Sequence, residues 1–258
     1  MKKFIIKNSR LVAEKNASIS IRERGFLFGD GMFETCKVIN GKILDFNLHQ
    51  ARICKALETL KFSLDTKNLE QNCYKLIKKN SLSDGILKIL ISRGRGSRGY
   101  LPTSESRPLV IIETSENRAL PQKISLGISK IVTPGNAFKS MSAMAYVMAK
   151  IEAEEQGVFD CVMLSSDGFV AETSSANIFW VKNDQIYTPD ESCGMVQGCA
   201  RERVLKSSKI EIKKVRAKIS DLENADEIFL TNSAFLVIPV DEFLGKKLQT
   251  KWSKKLAC

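Results

Sequence analysis

The stretch AFKSMS at residues 137–142 precedes a long helical pattern and contains the lysine on which the interpretation of this sequence depends. A second stretch, ETSSANIF at residues 172–179, begins with a glutamate and runs into a strand pattern. In the first stretch Phe138 and a methionine-rich segment flank Lys139 with apolar side chains. An ammonium group that is kept from water gives up its proton more readily and becomes nucleophilic. The sequence thus offers a reactive amine and an acidic partner, Lys139 and Glu172.

A lysine and a carboxylate are the minimum protein equipment for pyridoxal phosphate (PLP) chemistry. The lysine forms a Schiff base with the cofactor, and the carboxylate keeps the cofactor's pyridine nitrogen protonated, so that the ring accepts carbanion electrons. The pair alone proves nothing, because the chain has 40 lysines and arginines and 29 aspartates and glutamates. The order of the surrounding motifs gives it weight.

Six motifs accompany Lys139 along the chain. In order they are RGFLFGDGMFET (24–35), HQAR (49–52), ETSSANIF (172–179), YTP (187–189), GMVQG (194–198) and EIFLTNS (227–233). Each motif is weak alone, but together and in this order they resemble the fold-type IV PLP enzymes, also called class IV aminotransferases. The resemblance covers residues 5–240, which is nearly the whole chain.

The resemblance implies an α/β to α+β chain with the two-lobed fold-type IV architecture, similar to D-amino-acid aminotransferases. We expect a small N-terminal α/β lobe over residues 1–114 and a polar linker ending in proline over 115–122. A larger C-terminal lobe over 123–258 is expected to carry the PLP lysine. The family also implies a homodimer.

The resemblance further implies the roles of individual residues. Lys139 is expected to bind PLP and to act as the catalytic base, and Thr35 to help protonate the leaving group. Cofactor contacts are expected from Arg52, Glu172, Asn177, Val196, Gln197, Asn232 and Ser233. Among these, Arg52, the amides of Val196 and Gln197, and the Ser233 hydroxyl are expected at the phosphate, Glu172 is expected at the pyridine nitrogen, and Asn177 is expected to orient neighbouring groups.

Two segments discriminate within the family. Arg98-Gly99-Tyr100 and Asn232-Ser233 resemble aminodeoxychorismate lyases more than aminotransferases. Substrate contacts are therefore expected from Arg93, Arg98 and Tyr100. This similarity implies conversion of 4-amino-4-deoxychorismate to p-aminobenzoate and pyruvate, a step of folate biosynthesis. The alternatives are a branched-chain or D-amino-acid aminotransferase that uses the same lysine and, from another class, a non-catalytic basic binding protein.

Composition favours a soluble protein of the cytoplasm. No apolar run approaches the ~18–20 residues that span a bilayer, and the N-terminus indicates a strand rather than a signal peptide. The seven cysteines are scattered without a C-x-x-C pair, which is typical of reduced thiols. With His49 as the single histidine, no metal site is expected. The net charge of +11 is spread over lysine pairs, so neither nucleic acid nor a membrane is an expected partner.

Periodicity and turn residues predict the order of helices and strands. Hairpins are predicted around Asn8-Ser9 and Asn40-Gly41. The predicted helices cover 47–60, 69–79, 141–157 and 200–207, and the remaining predicted strands cover 85–92, 108–114, 123–131, 160–164, 178–182, 186–188 and 227–230. The methionines at the start of the third helix are interpreted as core packing.

Overall fold

A computed structural model describes residues 3–96, 98–103, 107–208 and 210–256. Cys258, which was counted among the reduced thiols, lies outside these ranges. The chain divides into two compact units. The first comprises Met1–Arg118 with Phe138–Ser142, and the second comprises Ala119–Ala137 with Ala143–Cys258. The lobe boundary at 115–122 stays a prediction, but the segment with Lys139 groups with the first unit rather than with the residues that follow it.

The first unit is built on a six-stranded antiparallel sheet with the order β2-β1-β6-β5-β3-β4. Its strands are β1 Phe4–Lys7, β2 Arg10–Ala13, β3 Gly31–Ile39, β4 Lys42–Ile43, β5 Gly85–Ser92 and β6 Leu109–Ser115. Both predicted hairpins are confirmed. Asn40 and Gly41 have the positive φ angles of 49° and 72° that a tight turn between twisted strands requires.

Two long helices cover one face of this sheet. The helices of the first unit are α1 Arg24–Phe28, α2 Phe46–Leu60 and α3 Leu69–Asn80, and a 3₁₀ turn spans Glu14–Asn16. Alternate residues of the strands point to the helices, so that Met32, Cys36 and Val38 join the buried core with α2 and α3. The intervening residues, Phe33 and Thr35 among them, face the other side and are half-buried.

The segment that contains Lys139 is attached to this sheet by its backbone. The Phe33 amide donates to the Lys139 carbonyl at 2.8 Å, and the Met141 amide donates to the Gly31 carbonyl at 3.0 Å. The segment therefore extends the sheet along the edge of β3, and Phe138 is buried in the core of the first unit. Backbone pairing, rather than proximity along the chain, decides where the lysine belongs.

The second unit stacks two five-stranded sheets, with orders β12-β11-β10-β13-β14 and β16-β15-β7-β8-β9. The strands are β7 Ser125–Ile128, β8 Asp160–Leu164, β9 Val170–Thr173, β10 Asn177–Lys182, β11 Gln185–Pro189, β12 Ile212–Val215, β13 Glu227–Asn232, β14 Leu236–Val240, β15 Glu242–Phe243 and β16 Lys246–Lys247. Apolar side chains of both sheets, such as Leu126, Val162, Ile178 and Ile228, form one buried cluster.

The helices of the second unit pack on both sheets. They are α4 Met144–Glu155, α5 Cys199–Ser207, α6 Ile219–Glu223 and α7 Lys251–Leu256, with a 3₁₀ turn at Glu191–Cys193. α4 contacts β7 and β8, whereas α5 contacts β13. The interpretation of the methionine stripe as core packing is wrong for this chain, because Met144 and Met148 are 70% and 42% exposed and the buried residues of α4 are Ala149 and Ala153.

No helix in the described part of the chain is long and apolar enough to cross a membrane.

Candidate active site

The lysine that is predicted to be reactive lies on the open face of the first unit's sheet. The Lys139 Nζ lies 5.4 Å from the centroid of the Phe33 ring, and the backbones of the two residues are hydrogen-bonded. Thr35 is two residues further along β3, so its side chain emerges on the same face as Phe33. The structure thus brings together two of the predicted residues, Lys139 and Thr35.

The predicted phosphate arginine belongs to a buried ion network on the opposite face. Arg52 donates from Nε and Nη2 to the two carboxylate oxygens of Glu34 at 2.8 and 2.6 Å, and His49 Nδ1 is 2.6 Å from the same carboxylate. Burial alone raises the pKa of Glu34, but the Arg52 charge and the hydrogen bonds of Arg52 and His49 lower it to about 2. Arg52 is therefore held by a partner that the sequence reading missed, and its phosphate role stays a prediction.

This network predicts acid sensitivity. The folded pKa of Glu34 lies below its ordinary value of 4.5, so the stabilisation is present above pH 4.5 and is lost as the pH falls towards 2. We expect Glu34→Gln to lower the free energy of unfolding at pH 7 by about 3 kcal/mol, because it leaves Arg52 buried without a counter-charge. Urea unfolding at pH 7 and pH 4 measures both effects, with Glu113→Gln on the same sheet as control. Equal pH dependence of the parent and Glu34→Gln contradicts the assignment.

The acidic partner is buried in the second unit with three hydrogen-bond donors. Glu172, on β9, accepts from Thr133 Oγ1 at 3.0 Å, from the Tyr146 hydroxyl at 2.9 Å and from the Val196 amide at 3.1 Å. Hydrogen bonds to a carboxylate favour its charged form. A carboxylate held at a fixed place by three donors is what a pyridinium nitrogen requires.

Two of these donors were missed by the sequence reading. Burial and the neighbouring charge of Glu172 raise the pKa of Tyr146, so its phenol stays protonated and donates. Thr133 follows β7 and Tyr146 lies in the first two turns of α4. Neither residue is near Glu172 in the sequence, and no motif signals the contact.

The turn between Glu172 and Asn177 is fixed by an aspartate. Asp160, fully buried at the start of β8, accepts hydrogen bonds from the hydroxyls of Thr173, Ser174 and Ser175. The Thr-Ser-Ser run therefore binds a buried charge, which positions the β9–β10 turn.

The glycine-bounded loop at 194–198 is anchored by predicted site residues. Asn177 donates from Nδ2 to the Val196 carbonyl at 2.7 Å, which is an orienting contact. The Val196 amide binds Glu172, and the Gln197 amide donates to the Ala137 carbonyl at 2.9 Å. Both amides therefore already donate hydrogen bonds to groups of the protein. Their role at a phosphate stays a prediction, and it requires that they give up these acceptors and donate to the phosphate instead.

The residues after this loop form a cradle that fits an anion. α5 starts directly after Gly198, and the amides of its first turn point out of the helix end. A Cβ at Gly198 would lie 2.0 Å from Asn177 Oδ1, so only glycine permits this close approach. Thr231 lies opposite Asn177 on β13, and its buried Oγ1 has no hydrogen-bond partner among the described residues. A helix N-terminus beside an unsatisfied hydroxyl fits a phosphate group.

The remaining two predicted cofactor residues lie at the end of β13. Asn232 accepts from the amides of Ala234 and Phe235 and donates to the Ser175 carbonyl. These contacts fix the turn, and the half-buried Ser233 follows Thr231 by two residues. Ser233 is thus placed near the cradle, whereas Asn232 has a positioning contact.

One predicted substrate residue is engaged within the first unit. Arg93 donates from Nε to Asp30 at 2.8 Å and from Nη2 to the Leu60 carbonyl at 2.7 Å, and its guanidinium lies over the Phe62 ring. These contacts fit a structural role.

The other two predicted substrate residues project from a fixed loop. Arg24, buried and missed by the sequence reading, donates to the carbonyls of Gly99 and Tyr100 at 3.0 and 2.6 Å. The loop is thereby held, while the side chain of Arg98 is exposed and the Tyr100 ring contacts Phe28 at 5.4 Å. Arg98 is well placed to meet an anionic molecule.

Comparisons with known proteins agree with these features. The family described as Amino-transferase class IV matches residues 31–243. The chain is 30% identical to an aminodeoxychorismate lyase of Bacillus subtilis over 92% of this chain and 85% of the relative. It is 26% identical to a D-alanine aminotransferase of Bacillus licheniformis over 95% and 89%. The crystal structure of 4-amino-4-deoxychorismate lyase from Pseudomonas aeruginosa superposes with a TM-score of 0.85 at 28% identity, covering 98% of this chain and 96% of that one.

Proposed function

Because the chain belongs to the class IV aminotransferase family, whose enzymes depend on PLP, we propose that it is an aminodeoxychorismate lyase. The proposed reaction converts 4-amino-4-deoxychorismate to p-aminobenzoate and pyruvate. One observation carries the choice of the lyase over the aminotransferase: Arg24 fixes the loop that presents Arg98-Gly99-Tyr100, the motif that resembles the lyases. The similarity to the Bacillus subtilis lyase supports the same choice.

The residues of the second unit fit the cofactor. Glu172 would hold the pyridine nitrogen, and the first turn of α5 with Thr231 and Ser233 would hold the phosphate. We place the phosphate at this turn because the amides of Val196 and Gln197 are engaged elsewhere. The bound cofactor supplies an electron-accepting ring.

The residues of the first unit fit the proton transfers. Lys139 would bind the cofactor covalently. Once the substrate amine has replaced it there, the freed amine of Lys139 would take the proton from the amine-bearing carbon of the substrate. Loss of this proton allows the ether C–O bond to break and the ring to become aromatic. The three-carbon fragment leaves as the enolate of pyruvate and takes up one proton to become pyruvate, for which Thr35 is the proposed donor. No oxidant or second substrate is needed.

We also propose that the protein acts as a homodimer. α4 exposes Met144, Val147, Met148 and Ile151 together on the second unit. Apolar patches of this kind mark association surfaces in folded proteins. The cytoplasmic location expected from the apolar runs, the N-terminus and the cysteines stays a prediction.

A direct assay tests the lyase proposal. The PLP-loaded protein is incubated with 4-amino-4-deoxychorismate and no keto acid, and p-aminobenzoate fluorescence is followed together with pyruvate release. We expect equal amounts of both products, and none from the apoprotein.

The aminotransferase alternative is tested in parallel with D-alanine or leucine and 2-oxoglutarate. It is favoured by the similarity to the Bacillus licheniformis D-alanine aminotransferase. Rapid amino transfer without p-aminobenzoate release refutes the lyase and establishes this alternative.

A further inference from the structure

The proposed substrate carries two carboxylates, one on the ring and one on the enolpyruvyl ether, and each requires a cationic partner. Arg98 is exposed and is available for one of them. Arg93, the second expected partner, already binds Asp30 and the Leu60 carbonyl. The second carboxylate would therefore need another cation near the proposed reacting groups.

Lys88 occupies such a place. It lies on β5 directly opposite Thr35 on β3, so the two side chains emerge on the same face of the sheet as cross-strand neighbours. The Lys88 Nζ lies 5.3 Å from the centroid of the Phe33 ring, and the Lys139 Nζ lies 5.4 Å from the same centroid. One aromatic ring therefore contacts both ammonium groups, and the proposed proton donor is beside it.

The ammonium of Lys88 is not held in an ion pair by the neighbouring acid. Glu113 faces Lys88 from β6, but the two residues form no ion pair. Within the described ranges of the chain, the contact of the Lys88 ammonium is with the Phe33 ring. Lys88 is half-buried, and its ammonium, which contacts an aromatic ring, gains a strong charge-assisted hydrogen bond when a carboxylate arrives.

We propose that Lys88 binds the carboxylate of the enolpyruvyl group, an inference that rests on the proposed lyase function. The pairing with Thr35 places the carboxylate contact beside the group that is proposed to protonate the same fragment. Lys88 would thus hold the leaving group, while Arg98 holds the carboxylate on the ring.

Binding of the two products separately tests the proposal. The affinities of the PLP-loaded protein for pyruvate and for p-aminobenzoate are measured by calorimetric titration. We expect Lys88→Met to weaken pyruvate binding by about 10- to 100-fold, the effect of losing one charge-assisted hydrogen bond. p-Aminobenzoate binding should change less than about threefold, and Lys88→Arg should restore most of the pyruvate affinity.

Lys37→Met is the matched control. Lys37 lies on the same face of β3, two residues beyond Thr35, and its Nζ donates to Asn117 Oδ1 at 3.0 Å. Its replacement removes the same charge from the same sheet, so pyruvate affinity should stay at the parent's value. Equal weakening by Lys37→Met and Lys88→Met would mean a general field effect and would overturn the proposal.

Two further outcomes are decisive. If Lys88→Met leaves pyruvate affinity unchanged but shifts the pH profile of turnover, Lys88 acts through Lys139 and the proposal is wrong. If the parent releases no p-aminobenzoate from aminodeoxychorismate, the lyase function fails. The titration still decides the role of Lys88 in that case, because selective loss of pyruvate binding supports the carboxylate site and unchanged binding refutes it.

Discussion

Replacement of Lys139 by alanine is expected to reduce turnover by roughly 10³-fold or more, because it removes both the cofactor's covalent anchor and the proposed base. The fold should survive, since the segment is attached to β3 through backbone atoms that alanine retains. After incubation with PLP, borohydride reduction should fix the cofactor on Lys139 of the parent and on no residue of the variant. Peptide mass spectrometry identifies the labelled lysine.

The control for this experiment is Lys75→Ala, which removes an exposed lysine from α3. It should retain turnover and labelling. A label on a lysine other than 139 in the parent, or a parent that takes up no PLP, would refute the assignment and with it both the lyase and the aminotransferase.

Glu172→Gln is expected to leave the cofactor bound but to slow turnover by roughly 10²-fold or more. A neutral amide cannot keep the pyridine nitrogen protonated, and electrostatic contributions of this kind are worth such factors. The amide also fits its surroundings. Its oxygen can accept from the Val196 amide, and the hydroxyls of Thr133 and Tyr146 can turn to accept from its NH₂ group. Cofactor absorbance and the rate of p-aminobenzoate release are measured on the same sample.

Glu227→Gln distinguishes this effect from the loss of a buried charge in general. Glu227 is buried in the same unit and accepts from the amides of Trp252 and Ser253. Its replacement should lower stability and leave turnover nearly unchanged. If Glu172→Gln turns over at the parent's rate, another group must hold the pyridine nitrogen.

Local patterns were sufficient to predict most of the longer helices and strands. β5 was predicted at its observed bounds, because its apolar run is closed by polar turn residues. The start of α2 was predicted at Asn47, but Asp45 adopts a left-handed conformation and the helix begins at Phe46. Eight short elements were missed, because segments of two to six residues carry too little periodicity to be recognised: α1, α6, α7, β9, β12, β14, β15 and β16.

Only the residues of the candidate site that lie within sequence motifs were predicted. Lys139 and Glu172 are marked by the sequence around them, but their neighbours come from distant segments. Tyr146 reaches Glu172 across 26 residues, and Lys88 reaches the ring of Phe33 by strand pairing. The hydrogen bond from Arg93 to Asp30 could not be predicted either. An arginine in a glycine-rich loop has the same sequence pattern whether it binds a substrate or other groups of the protein.

The attachment of the lysine segment to β3 has a consequence for biosynthesis. Residues 31–33 are synthesised more than a hundred residues before the segment that pairs with the outer edge of their strand. During that interval the nascent first unit has an open strand edge, which other chains can pair with. The edge closes when Ser140 and Met141 emerge. Lys139 is synthesised with the same segment, so the pairing that covers the strand edge also positions the lysine that is proposed to bind the cofactor.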